Sequence, residues 1–185
     1  GLFAVGAAFA WNAFGHVRQR VDIWIDPWTD PSGSGYQIVQ GLFAMAFGGV
    51  TGTGLGLGGD VRIPASESDF IFAVIAEQFG LLGGALVIMA YLLMVGSGLR
   101  IAARSDHAFD KLLATGLTLL LGFQAFIIIA GVVRLLPLTG VTLPFVSYGG
   151  SSLVVNYVLL ALLLRLSDQN ERGRAGVRSA TAVAA

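Results

Sequence analysis

The chain has 185 residues, with 11 Lys+Arg balanced by 11 Asp+Glu, no Cys, 55% hydrophobic residues and only 12% charged ones. An average soluble domain carries roughly 25% charged residues. This balance excludes a disordered chain, a basic nucleic-acid-binding domain and a disulfide-stapled secreted module, and it leaves too few charges to cover a soluble globule. An integral membrane protein remains.

Crossing about 30 Å of hydrocarbon takes about 20 apolar helical residues. Residues 1–15 are uncharged but shorter than one span; they read as the closing part of a spanning helix that starts before Gly1. A cleaved signal peptide is the rival and would need a basic stretch ahead of it. Residues 36–59 are also uncharged, but eight of the 24 are Gly, and Gly52, Gly54, Gly56, Gly58 and Gly59 crowd one end. Each Gly costs about 1 kcal/mol against Ala in a helix. The stretch therefore predicts a helix over about 36–47 followed by irregular backbone, which must lie in water or against other helices. A second full span here is the alternative. Residues 70–99 form a run with a single charge, Glu77, and 112–133 and 145–164 have none.

Arg100, Arg104 and Lys111 fall in one connection, and Arg165, Arg172, Arg174 and Arg178 follow the last run. Both clusters are placed in the cytoplasm by the positive-inside rule, and two spans separate them, as that requires. Pro27, Pro31, Pro64, Pro137 and Pro144 all fall in segments assigned to the outer side. The expected fold is all-α: a polytopic transmembrane helix bundle with about four spans (about 1–15, 70–99, 112–133 and 145–164). It has a large outer loop over 16–69 containing a helix, and a cytoplasmic tail over 169–185, unstructured from Arg174 onward.

Ionisable groups within a hydrophobic run are functional candidates by default, because burying them in lipid is costly. Glu77 is one, with a structural hydrogen-bonded carboxyl as the rival reading. Arg134, at the outer end of its run, is another, with a snorkelling side chain as the rival. Asp69 stands at the outer mouth of the long run in Ser66-Glu67-Ser68-Asp69-Phe70. Ser66 and Asp69 have capping-box spacing, and the functional alternative is a carboxylate held at the membrane–water boundary. Glu77 lies eight residues on, about 80° round a helix, so the two do not form a carboxylate dyad. Gly54 to Gly59 formally match G-x-G-x-x-G, but no strand-then-helix context surrounds them and a dinucleotide site is rejected. Gly80 and Gly84 form a GxxxG that reads as close helix packing. With two His and no Cys, a protein-only zinc site is not expected.

The most specific strip is Gly140-Val141-Thr142-Leu143-Pro144-Phe145-Val146-Ser147-Tyr148-Gly149-Gly150-Ser151-Ser152. Its small, hydrogen-bonding residues suit either a polar groove or close packing of the last helix. This strip resembles the signature of the SEDS family (shape, elongation, division and sporulation), the RodA/FtsW/SpoVE group of peptidoglycan polymerases. So does Ser68-Asp69-Phe70-Ile71-Phe72-Ala73-Val74-Ile75-Ala76-Glu77-Gln78-Phe79-Gly80, where the family usually reads T-D-F-I-F-A-V-I-x-E-E-x-G. Arg20-Val21-Asp22, Trp24, Pro27 and Tyr36-Gln37-Ile38-Val39-Gln40 through Gly54-Leu55-Gly56 fit the family's outer loop, and the likeness runs to about Asp168. The chain departs from FtsW-type members at Leu138-Thr139-Gly140, where they often carry Lys, and at Gln78, where Glu is common.

The resemblance implies the C-terminal four of about ten helices and a glycosyltransferase that joins lipid II units into glycan strands. Lipid II flipping and non-catalytic scaffolding are the alternatives. It implies Asp69 as the catalytic residue, removing the proton from an attacking sugar hydroxyl. The pyrophosphate leaving group needs positive charge, from Arg or from a divalent cation such as Mg or Mn, with Asp69 as a possible ligand. Candidate substrate-binding residues are Arg18, Arg20, Arg62, Arg134, Ser147, Gly149, Gly150 and Ser151. The implied partners are lipid II, a class B penicillin-binding protein and the bilayer of the bacterial plasma membrane, with no nucleic acid.

Overall fold

The computed structural model describes residues 13–57 and 68–183 together with positions 1, 5, 6, 9 and 11; for 173–183 it describes the backbone alone. The described secondary structure is helical: α1 Gly15–Ile25, a 3-10 turn Pro27–Thr29, α2 Tyr36–Gly48, α3 Ile71–Arg104, α4 Ala108–Val132 and α5 Gly150–Val183. α3, α4 and the Gly150–Arg172 part of α5 are long and apolar enough to cross a membrane, at mean hydropathies of 2.2, 2.2 and 1.6. They correspond to the three long runs of the sequence. Of the span expected over 1–15, seven positions lie outside the described residues, as do Arg62 and Ser66, while positions 5, 6, 9, 11 and 13 are helical. Two compact units are formed, Gly1–Gly84 with Ile127–Val141, and Ala85–Phe126 with Thr142–Ala185.

In the first unit α2 covers the expected 36–47 segment and stops where the glycines gather. It packs on the start of α3 through small residues. A Cβ on Gly41 would sit 2.9 Å from the Phe70 ring, and Phe70 is 1% exposed. One helical face further on, a Cβ on Gly48 would collide with the Ala76 carbonyl. Close backbone approach of this kind is what stripes of small residues permit.

The irregular strip after α2 does not run free. α3 is broken at Gly80, whose φ of 67° and ψ of −164° are non-helical. In an unbroken helix the Leu81 and Leu82 amides would donate to the Glu77 and Gln78 carbonyls. Here Thr53 N donates to Glu77 O at 3.0 Å and Gly54 N to Gln78 O at 3.1 Å. In return Leu81 N donates to Gly49 O at 2.9 Å and Leu82 N to Val50 O at 3.3 Å. The Thr53 hydroxyl adds a bond to Glu77 O at 3.1 Å. The strip thus replaces the helical bonds that the break removes for these two carbonyls and two amides. Gly80 is not simply half of a packing GxxxG. Its conformation is one L-residues rarely adopt, and a Cβ there would strike Gly52 N and Val50 O.

α1 is held at its C-terminus by Arg134. The guanidinium Nη2 donates to Trp24 O at 2.9 Å and Ile25 O at 3.0 Å, and the Trp24 indole N–H donates back to Arg134 O at 2.9 Å. A cation over the last carbonyls of a helix satisfies its unpaired acceptors and opposes its dipole. Arg134 itself has φ 63°, which turns the chain sharply away from α4.

In the second unit Ala102, Ala114, Leu121, Leu163 and Leu166 form the core. α3 meets α4 where a Cβ on Gly122 would sit 2.8 Å from Val95 Cγ2, and Thr118, 2% exposed, donates to Ala114 O at 2.7 Å. The final helix begins at Gly150 rather than Phe145. Phe145 has φ 64°, and the Ser147 hydroxyl accepts from Leu143 N at 2.7 Å, a local bond that competes with helix formation. At its other end α5 continues to Val183, where an unstructured tail was expected. An exposed Asp168–Arg172 ion pair at 2.9 Å and i,i+4 spacing supports the helix as far as Arg172.

Two outcomes follow for the full-length protein in detergent. Gly80→Ala or Gly52→Ala lowers the unfolding midpoint, by about 1–3 kcal/mol of backbone strain. Gly96→Ala, where a Cβ meets open space, does not lower it. Equal midpoints for Gly80→Ala and Gly96→Ala would exclude the strip-and-break arrangement. Arg134→Met frees the end of α1 at a cost of about 1.5–3 kcal/mol. Tryptic cleavage after Arg18 and Arg20 then accelerates; an unchanged digestion rate would show that the clasp does not hold α1.

Candidate active site

The first unit contains an open cavity of about 370 Å³. α1 contributes His16, Gln19, Arg20 and Ile23, which recur at i, i+3, i+4 and i+7 and so share one helical face. Ser34, Gln37 and Ile38 come from the turn into α2 and its first turn, Leu138 and Gly140 from the strip after α4, and Asp69 from the turn that precedes α3.

Asp69 is half-buried, with the buried Phe70 ring against α2 anchoring the turn that carries it. Gly140, at φ 69°, brings bare backbone to the carboxylate: a Cβ there would lie 3.5 Å from Asp69 Oδ2, in ordinary contact. Arg20 reaches across the cavity wall and donates from Nη1 to Leu138 O at 3.0 Å. That bond fixes a guanidinium in the same cavity as the carboxylate and leaves its remaining N–H groups for other acceptors. The turn presenting Ser34 is built locally. Asp30 Oδ2 accepts from Ser34 N at 2.8 Å and from Ser34 Oγ at 3.0 Å. These bonds hold the Asp30 carboxyl below its ordinary range. Their support for the turn is present at neutral pH and fades as the pH falls through that lowered pKa.

The candidates divide unevenly. Asp69 and Arg20 share the cavity with Gly140. Arg18 is on α1 but is occupied elsewhere, its Nε donating to Trp11 O and its guanidinium lying 5.9 Å from the Trp11 ring centre. Arg134 clasps α1, and its buried Nε has no partner among the described residues. Arg62 lies outside the described residues. Ser147, Gly149, Gly150 and Ser151 belong to the second unit. There Ser147 is buried in its own turn, a Cβ on Gly149 would lie 3.3 Å from the Thr142 methyl, Gly150 opens α5 and Ser151 is exposed. The Glu77 side chain is buried beside the α3 break. Glu77 was singled out from the sequence, and Gln124 is a polar residue within the uncharged run 112–133. The structure adds Asn156, 2% exposed, in a chain running from Gln124 Nε2 to Thr142 O, Thr142 Oγ1 to Ser152 Oγ and Asn156 Nδ2 to Ser152 Oγ.

His16, Gln19, Ser34 and Gln37 were not singled out from the sequence. The spacing of His16, Gln19 and Arg20 was the available signal, an amphipathic face in a segment read only as outer loop. Among the described residues no group of three His, Cys, Asp or Glu is placed to hold a metal ion.

Comparison with known proteins places these features in a lineage. The profile of a family described as cell cycle protein, covering FtsW, RodA and SpoVE, matches residues 2–172. The peptidoglycan glycosyltransferase RodA of Mycobacterium tuberculosis is 52% identical over 171 residues, which are 92% of this chain and 36% of that protein. RodA of Mycobacterium leprae is 51% identical over 90% of this chain and 36% of its own length. A probable peptidoglycan glycosyltransferase FtsW of Geobacter sulfurreducens is 41% identical over 82% of this chain and 41% of its own. The chain therefore spans little more than a third of the RodA relatives. A solved chain from a peptidoglycan synthase complex that coordinates polymerization and crosslinking superposes with a TM-score of 0.71 at 29% identity, over 92% of this chain and 48% of that one. This chain belongs to the FtsW/RodA/SpoVE family of cell cycle proteins.

Proposed function

We propose that the chain is the C-terminal part of a membrane peptidoglycan glycosyltransferase that joins lipid II units into glycan strands at the outer face of the bacterial plasma membrane. The observation that carries this is Asp69. It is a half-buried carboxylate in an open cavity that also holds Arg20, in a chain whose relatives are named peptidoglycan glycosyltransferases. Identity is higher to the relatives named RodA than to the one named FtsW, which favours a RodA-type protein.

In this reading a sugar 4-hydroxyl of one lipid II attacks the anomeric carbon of another chain. The new C–O bond forms as the bond from that carbon to pyrophosphate breaks, and the hydroxyl proton passes to Asp69. The polyprenyl pyrophosphate departs, and Asp69 returns the proton to water. A positioned general base of this kind contributes typically 10²–10⁴-fold. Arg20 supplies fixed positive charge for the leaving oxygens. Gln19, Ser34 and Gln37 offer donors and acceptors for sugar hydroxyls. Among the described residues Asp69 is the one carboxylate lining the cavity, and it would hold a Mg or Mn ion together with substrate phosphates, since such ions accept one carboxylate alongside phosphate oxygens. When bound it would supply Lewis-acid stabilisation of the departing pyrophosphate. The likeness to a synthase complex supports a class B penicillin-binding protein as partner.

The test uses the full-length protein with its partner and purified lipid II. Asp69→Asn keeps the shape of the side chain and removes the base, and strand synthesis falls at least about 100-fold while the unfolding midpoint holds. Undiminished synthesis ends the assignment. Lipid II flipping in liposomes, measured on the same variant and on Glu77→Gln, separates polymerisation from transport: the reading expects neither substitution to abolish a flipping signal that polymerisation does not produce.

A further inference from the structure

Among the described residues, three ionisable side chains line the cavity that holds Asp69: Asp69 itself, Arg20 and His16. The first two have tasks in the proposed reaction and His16 has none. α1 fixes the relation between His16 and Arg20. They are four residues apart on one helical face, with Cβ atoms about 5–6 Å apart, and both line the cavity.

The two side chains are held differently. Arg20 is tethered by its bond from Nη1 to Leu138 O at 3.0 Å, which leaves its other N–H groups for a ligand. The exposed His16 ring lies against Phe14, with ring centres 5.5 Å apart and planes at 46°. A phenyl ring steadies the imidazole without offering its nitrogens an acceptor, and among the described residues neither nitrogen makes a hydrogen bond. The other cation of α1, Arg18, is engaged with Trp11. His16 is therefore the α1 side chain that can set a second positive charge beside Arg20.

Histidine is the side chain that takes up a proton between pH 8 and pH 5, and once protonated both of its ring nitrogens donate. Two cations one helical turn apart match a ligand with two linked anionic centres better than a ligand with one. The pyrophosphate of a lipid-linked sugar is such a group, and charge-assisted bonds to it are the strong kind. The titratable or charged groups that face His16 in the cavity are Arg20 from α1 and Asp69 from the turn before α3. The turn into α2 and the strip after α4 bring only neutral side chains. We propose that protonated His16 joins Arg20 in holding the pyrophosphate of the lipid-linked sugar, so that the hold tightens as the pH falls. The identity of the ligand rests on the glycosyltransferase reading given above.

The experiment titrates the full-length protein with inorganic pyrophosphate in metal-free buffer at about pH 6 and about pH 8 and reads the affinity by calorimetry. Pyrophosphate gains protons of its own over this range, but that change is common to all variants and cancels between them. Going to the lower pH, the wild type gains about fivefold more affinity than His16→Gln does. His16→Arg, whose charge is permanent, binds more tightly than the wild type at the higher pH and responds to pH as His16→Gln does. Arg20→Gln weakens binding at both pH values, and His107→Gln, which removes a histidine outside the cavity, behaves as the wild type. The same pH response in the wild type and His16→Gln, a lost response in His107→Gln, or weaker binding by His16→Arg than by the wild type at the higher pH overturns the proposal. Equal affinity of the wild type for phosphate and pyrophosphate overturns the assignment of the ligand. Binding is read without turnover, so this result and the effect of Asp69→Asn on strand synthesis can each fail while the other stands.

Discussion

Hydrocarbon offers a peptide group nothing to bond with, and this constraint organises the first unit. α3 is a long apolar helix that breaks ten residues from its start, and a break inside a membrane segment strips helical partners from two carbonyls and two amides. The residues after α2 supply replacements for all four. That requires glycine where the two backbones come closest, at Gly48, Gly52 and Gly80, where a Cβ would strike the facing main chain. A side chain at those positions would hold the two strands apart, and each would then need water that lipid does not contain.

The same crossing fixes what lies upstream of it. α2 runs into the strip and packs along the start of α3 through Gly41 and Gly48, while Phe70 fills the space that Gly41 leaves. Asp69 is therefore set by contacts on its own turn and its neighbour helix. The facing wall is held separately, by Arg134 on the end of α1 and by Arg20 on Leu138. Residues far apart in sequence meet at the carboxylate because two distinct sets of hydrogen bonds position the walls. One polar group from each wall, the Asp69 carboxylate and the Arg20 guanidinium, then brings opposite charges into one cavity, as the proposed proton removal and pyrophosphate departure would need.

Much of the fold was legible in the sequence, for a reason that holds generally in lipid: charge is excluded from the span, so uncharged runs mark α3, α4 and α5. The helix over 36–47 and the irregular strip after it were likewise readable from the density of glycine. The break at Gly80 was not, because a GxxxG in an apolar run has the same appearance whether it packs a neighbouring helix or yields to a crossing strand. The start of α5 was misplaced by five residues because Ser147 and Phe145 adopt a turn that hydropathy does not register. Its far end was missed because hydropathy marks only the apolar run, and the helix continues through polar residues beyond it. Asp69 and Arg20 were visible through the family motifs. His16, Gln19, Ser34 and Gln37 became visible only once α1 and α2 were seen to share a cavity, since polar residues in an outer loop carry no individual signal.

The lock between Trp24 and Arg134 uses the main chain and the side chain of both residues, and so it counts positions. Adding or deleting a residue within α1 rotates Trp24 by about 100° and breaks its indole bond and the clasp together. The turns over 26–35 lie between the lock and α2, and a length change there leaves both of its halves in register. A chain that keeps the lock can therefore change length in the exposed turns but not in the helix that lines the cavity.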